Sequence, residues 1–166
     1  LAGRVQGIED RLNRNICELL DSQGVRVLRG TGRLKGPHEV VAETIDGDLV
    51  ELDADAVLIS TGSRPRIPDW AYVDGDRILT TRHAYPPKEL PSHLVIVGSG
   101  VTGVEFVHMF SAFGSKVTLI VSRQQVLPSK DAEVAAAREE NGIERGVALM
   151  KGARAVGIDR SDEGVV

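Results

Sequence analysis

Three glycines at GxGxxG spacing, Gly98, Gly100 and Gly103, stand between an apolar run at residues 94–97 and a second, mostly apolar stretch that begins at Val101. That spacing suits a chain that must turn sharply from a strand into a helix while leaving bare backbone at the corner. Gly98 allows the bend, Gly100 leaves room for a diphosphate against the main chain, and Gly103 lets the helix lie close on the strand. The unpaired N–H groups of the helix's first turn then face the phosphates, and the aligned peptide dipoles favour their negative charge. Ser99, Val101, Thr102 and Val104 fill out the segment that would run along a bound dinucleotide. In a chain with eighteen glycines the same spacing also arises in an ordinary turn, so the neighbouring elements must decide.

Two further groups bear on which nucleotide would bind. The end of the second strand of such a unit is the place where an acidic side chain accepts the ribose hydroxyls and repels a 2′-phosphate. Here that place holds Val121-Ser122-Arg123-Gln124, with no carboxylate. Ser122 can donate a hydrogen bond and Arg123 can form a charge-assisted pair with a phosphate, which predicts that NADP is tolerated beside NAD. The alternative leaves Arg123 a solvated loop residue. Glu105, two residues beyond Gly103, gains from the positive helix end. It either supports the helix or faces the nicotinamide end of the ligand.

The elements needed to position these residues are present in order. Residues 94–97 read as a fully buried parallel strand. Val101, Val104, Phe106, Val107 and Phe110 give an apolar helix closed by Gly114, and Lys116–Val121 follows as a β-branched strand. Strand, turn, helix and strand within about thirty residues make one βαβ unit and favour the phosphate-binding reading. A second helix is expected over roughly 132–140, interrupted by Asn141-Gly142, then a strand at 147–151 and a further strand near 154–159. The fold class is therefore α/β, with a Rossmann-like unit.

Upstream, residues 1–23 read as an amphipathic helix with Val5, Ile8, Leu12, Ile16, Leu19 and Leu20 on one face, ended by Gly24. Cys17 lies on that helix and reads as a buried, inert thiol. A strand at 25–28 runs into Gly30-Thr-Gly32. Strands near 39–44 and 48–52 flank the hairpin signal Asp46-Gly47, and an apolar strand from residue 56 ends in the small-residue turn Thr61-Gly62-Ser63 before the stiff stretch at 64–68. Prolines 86, 87 and 91 exclude long helix or interior strand from 70 to 91, apart from a short helical turn over 80–84. The expected domains are 1–66, a linker at 67–92, and a nucleotide domain over 93–166.

Bulk properties narrow the function classes. The 166 residues carry a formal net charge of −4, with twenty Lys and Arg spread along the chain, so no basic stripe suits nucleic acid. No apolar run approaches the roughly twenty residues needed to span a bilayer, and no charged-then-apolar leader opens the chain; a soluble, cytoplasmic protein is expected. One cysteine excludes an internal disulfide, and His38, His83, His93 and His108 lack metal-ligand spacing, so no metal is expected. Leu1 in place of methionine, and an end at Val166 just after a turn-like stretch at 161–164, predict an internal piece of a longer protein.

Taken in order, Ser60-Thr-Gly-Ser-Arg-Pro65, the glycine motif from Val97 to Glu105, and Leu127 to Asp131 give the chain a specific likeness. It resembles the pyridine nucleotide–disulfide oxidoreductase family of FAD flavoproteins. The first of these segments is similar to the crossing from FAD domain to NAD(P) domain, so residues 1–66 would be part of an FAD-binding domain. The stretch at 116–127 is most similar to the soluble pyridine nucleotide transhydrogenases, which carry an arginine where Arg123 falls. Dihydrolipoamide dehydrogenases usually have glutamate where Val121 stands.

The resemblance implies a homodimer with tightly held FAD, passing hydride from NADPH to flavin and then to NAD. A dihydrolipoamide or disulfide reductase is the alternative, and the isolated piece alone would be a non-catalytic nucleotide-binding module. It also implies roles for Gly32, Thr61, Gly62 and Ser63 near FAD, for residues 98–105 along the nicotinamide nucleotide, for Arg123 at its 2′-phosphate and for Ala155 beside the adenine. The family's first glycine motif and any redox cysteine pair would lie upstream, and the dimer domain downstream. No catalytic acid, base or nucleophile is singled out, because in hydride transfer the cofactors carry the chemistry.

Overall fold

The computed structural model describes residues 2–161 and 164–166. Two compact units divide between Arg64 and Pro65. The first opens with α1 (Ala2–Ser22), which stops at Gly24, φ +69°. Its sheet is antiparallel in the order β1 (Gly30–Leu34), β2 (Glu39–Thr44), β3 (Leu49–Asp53). The Asp46-Gly47 turn makes the β2–β3 hairpin, with Gly47 at φ +89° and the Asp48 N–H donating to Thr44 Oγ1 at 3.1 Å. A Cβ on Gly30 would lie 2.0 Å from the Glu43 carbonyl oxygen, so this pairing of β1 with β2 requires glycine there.

Three expectations for this unit need correction. Residues 25–28 and 56–60, read as strands, join no ladder among the described residues, and Leu58 is 91% exposed. Their β-branched composition supplies propensity, but a strand also needs a hydrogen-bonding neighbour and a face to bury. The amphipathic face of α1 is likewise uncovered, with Leu12, Ile16 and Leu19 each more than half exposed. Cys17 is accordingly only half-buried, its Sγ donating to Asn13 Oδ1 at 3.4 Å.

The second unit holds a parallel sheet, β4 (His93–Val97), β5 (Lys116–Val121) and β6 (Ala148–Lys151), in that spatial order. Crossovers run through α3 (Val101–Ala112) and α4 (Ala132–Glu144). Successive right-handed crossovers in one direction place both helices on one face of the sheet. On that face Val104, Val107 and Phe110 of α3 pack with Val117, Leu119 and Val121 of β5, Ala135 of α4, Val126 and Val147. This is an α/β, Rossmann-like arrangement. Residues 67–92, expected as a linker, lie within this unit; Leu79 and Ala84 of α2 (Thr81–Ala84) and its approach pack against the same core.

The opposite face is bare, which corrects the reading of β4 as fully buried. Val95, Val97 and Met150 are each about half exposed, and the register places Val97 beside Ile120 and Ile120 beside Met150. The helix α4 also differs from expectation by running through Asn141-Gly142 to Glu144, with Gly146 at φ +80° just beyond its cap. A glycine inside a helix costs about 1 kcal/mol of propensity without terminating it. Here the Asp131 N-cap, accepting from the Glu133 N–H, and the Arg138–Asn141 side-chain hydrogen bond at 3.2 Å support the helix across that pair.

Residues 154–159 form no strand. Asp159 and Val166 exchange backbone hydrogen bonds of 2.8 Å beside an isolated Arg160–Val165 bridge, and the Ser161 N–H donates to the Gly164 carbonyl. The centre of that expected turn, residues 162 and 163, lies outside the described residues, as does the expected first helical residue, Leu1. Arg160 pairs with Asp74 and with Asp76, tying this segment to the loop before α2. Amide N–H groups of Asp76 and Ile78, with that of Arg77 and the Arg160 guanidinium, hold the Asp74 carboxyl well below the usual carboxylate range.

Candidate nucleotide-binding site

The glycine corner grows directly out of the sheet. Gly98 still donates to the Ile120 carbonyl at 3.1 Å, then turns at φ +115°, a conformation that side chains disfavour. Gly100 caps α3 without a side chain, and a Cβ there would meet nothing within 4 Å: the corner opens onto free space. A Cβ on Gly103, by contrast, would lie 2.0 Å from the Gly98 carbonyl oxygen. The helix can therefore rest on the turn only because position 103 has no side chain. With no capping side chain and no acidic residue in the first turn, the N–H groups of Val101, Thr102 and Gly103 present the positive end of α3 to that space.

The remaining site residues sort by burial. Ser99 is buried, and its carbonyl accepts the Leu127 N–H at 2.7 Å. Val101, Thr102 and Glu105 are exposed, whereas the Val104 side chain belongs to the core, so only its backbone can meet a ligand. Val121 is fully buried at the end of β5, and Ser122 and Arg123 follow it at the surface. The Arg123 carbonyl accepts from Gly152 at 3.0 Å and that of Val121 from Ala153 at 3.2 Å, placing the ends of β5 and β6 side by side. Ala155 is half-buried two residues beyond. The carboxyl ends of three parallel strands thus converge, which is where open α/β sheets hold their ligands.

Sequence reasoning missed the brace behind this corner. Leu127 adopts φ +50°, and the adjacent Val126 N–H donates to Glu139 Oε1 at 2.9 Å while Lys151 Nζ donates to Glu139 Oε2 at 2.8 Å. Burial opposes ionisation of Glu139, but Lys151 and the Val126 N–H outweigh it and hold the carboxyl below its ordinary range. No spacing rule announces a contact between residues thirteen positions apart across a loop. The residues read as facing FAD lie in the other unit: Gly32 sits mid-strand in β1 opposite Ala42, and Thr61, Gly62 and Ser63 are exposed, with Gly62 at φ +76°. Among the described residues, no three His, Cys, Asp or Glu side chains gather as metal ligands, and no helix is long and apolar enough to cross a membrane.

A family model described as pyridine nucleotide-disulphide oxidoreductase matches residues 3–166. The chain belongs to this family. Among its relatives, the NAD(P)H dehydrogenase (quinone) of Mycobacterium tuberculosis is 43% identical over 98% of this chain and 34% of its own length. The dihydrolipoyl dehydrogenase of Zymomonas mobilis is 32% identical over 99% of this chain and 35% of its own length. In three dimensions, the crystal structure of LpdA from Mycobacterium tuberculosis matches with a TM-score of 0.83 at 43% identity, covering 98% of this chain and 37% of that one. The HOCl-induced flavoprotein disulfide reductase RclA from Escherichia coli matches at 0.69 and 27% identity, over 92% and 34%. The chain spans about a third of the length of these relatives. Family members are FAD-dependent oxidoreductases that use nicotinamide nucleotides.

Proposed function

We propose that this chain carries the nicotinamide-nucleotide site of an FAD-dependent NAD(P)H oxidoreductase. The observation that carries the reading is the corner itself: open space at Gly100 beside a helix end that has neither a capping side chain nor a first-turn carboxylate. Residues 98–103 would hold the diphosphate on backbone N–H groups, and Glu105, exposed on the next turn, would face the nicotinamide side. Ser122 and Arg123 would meet the adenosine ribose, with Arg123 accepting a 2′-phosphate, so that NADPH is used as well as NADH. Ala155 would flank the adenine. Gly32, Thr61, Gly62 and Ser63 would contribute to the FAD-binding part, residues 1–66, with residues 93–166 forming the NAD(P) domain.

Bound FAD would supply the hydride-accepting chemistry and pass electrons to a second substrate. The protein's share is to orient the nicotinamide and keep the reacting face dry. We infer a quinone as that second substrate, because the 43% identical relative is named for one. Transfer to NAD, a transhydrogenase activity, is the second reading, favoured by the likeness of residues 116–127 to that branch. Dihydrolipoamide reduction finds support in the name of the 32% identical relative, but the missing carboxylate at the end of β5 weighs against it. A homodimer rests on the family resemblance.

Purifying the full natural chain and following NADPH and NADH oxidation with a quinone, thio-NAD or lipoamide as acceptor tests the reading. A yellow protein that reduces the quinone fastest is the expected result; a colourless, flavin-free one would end it. The isolated 166-residue chain is expected to bind NADPH without turnover. Arg123→Ala should raise the KM for NADPH about ten-fold, the equivalent of one charge-assisted hydrogen bond, and leave that for NADH unchanged.

A further inference from the structure

The glycine corner leans on a loop, and the loop leans on one carboxylate. The Ser99–Gly100 peptide is planar and trans, so its C=O and N–H point in opposite directions. When the Leu127 N–H takes the Ser99 carbonyl at 2.7 Å, the Gly100 N–H is aimed away from the loop, and the position of a Gly100 Cβ beside it is open. Leu127 makes that bond from φ +50°, a backbone conformation that a leucine keeps only when its surroundings impose it. Its carbonyl is taken by the Lys130 N–H at 2.8 Å. Immediately before it, Val126 is 2% exposed, and its N–H has Glu139 Oε1 as partner at 2.9 Å. The second oxygen of Glu139 is held by Lys151 from the end of β6. The same short loop begins with Ser122 and Arg123, whose backbone is pinned to Gly152 just past Lys151.

We propose that Glu139 is a positioning residue for nucleotide binding: through the Val126–Leu127 backbone it fixes the Ser99–Gly100 peptide and the Ser122–Arg123 stretch in the arrangement that receives a dinucleotide. The proposal rests on reading residues 98–103 as the nucleotide site. Glu139 touches no ligand in this scheme. It acts through two peptide groups, and its own carboxylate is steadied by Lys151.

The test uses the flavin-loaded full natural chain. In Glu139→Ala the KM for NADPH and for NADH is expected to rise about ten-fold, with kcat within about two-fold and flavin content unchanged. Glu139→Gln, whose amide oxygen still accepts from Val126, should return KM to within about three-fold of the parent. A lowered Tm with unchanged KM in Glu139→Ala would show a purely structural role and overturn the proposal, as would equal losses in the two variants. A second measurement needs no substitution. Coupling is reciprocal, so a saturating nucleotide must slow hydrogen exchange at the Val126 and Leu127 amides; unchanged exchange there overturns the proposal even where Glu139→Ala fails to fold. If the unmodified protein binds neither NADPH nor NADH, the nucleotide-site reading itself fails, and the role of Glu139 falls with it.

Discussion

A methyl group distinguishes the jobs of two of the three glycines. At position 103 it would be driven to 2.0 Å from the Gly98 oxygen, so Gly103→Ala must push helix from strand. A destabilisation of about 1–3 kcal/mol is expected, as for other overpacking, together with weakened nucleotide binding. At position 100 the same methyl meets open space and an ordinary φ of −70°. Gly100→Ala should therefore leave the urea midpoint nearly unchanged and still weaken NADPH binding, because the methyl occupies the ligand's volume. Denaturation and titration of the two variants side by side separate a packing glycine from a binding one. Glu139 adds a pH dependence. Its folded-state carboxyl lies below the ordinary value of 4.5, so its stabilisation is complete above that ordinary value and is lost as pH falls through the folded one. The stability advantage of the parent over Glu139→Gln should shrink on acidification below about pH 4, read from urea midpoints between pH 7 and 3.

At the level of elements, local chemistry set most boundaries in the second unit and failed at the stop of α4 and at residues 154–159, which form no strand. Period, glycine stops and β-branched runs marked α3 and β5, because those signals act within a few residues. The stop of α4 was misplaced because Asn141-Gly142 looks like a terminus in isolation, whereas the helix continues to Glu144. A Cβ on Gly142 would touch only the Val147 Cβ, at an ordinary 3.9 Å. Gly142→Ala is therefore expected to stabilise the protein by about 0.5–1 kcal/mol, the helix-propensity difference, as judged by thermal denaturation. Asp131→Ala should cost about 1 kcal/mol in the same assay, since it removes the side-chain acceptor of the Glu133 N–H at the start of α4.

The molecule taken as a whole has apolar surfaces left to cover. Val95, Val97 and Met150 share the bare face of the parallel sheet, and Leu12, Ile16 and Leu19 line an uncovered side of α1. Contiguous apolar surface of this kind binds other apolar surfaces or dyes. The isolated 166-residue chain should bind anilinonaphthalene sulfonate in its folded state, and the double substitution Val95→Thr with Val97→Thr should reduce that fluorescence. The sequence alone determined the βαβ unit, its glycine corner and the absence of a carboxylate after Val121, because each is written in residues close together along the chain. Only the tertiary structure decided which apolar runs became strands, which face of the sheet was covered, and that Glu139 braces the corner from across a loop. Those outcomes depend on partners distant in sequence, and neither propensity nor spacing encodes where such a partner will stand.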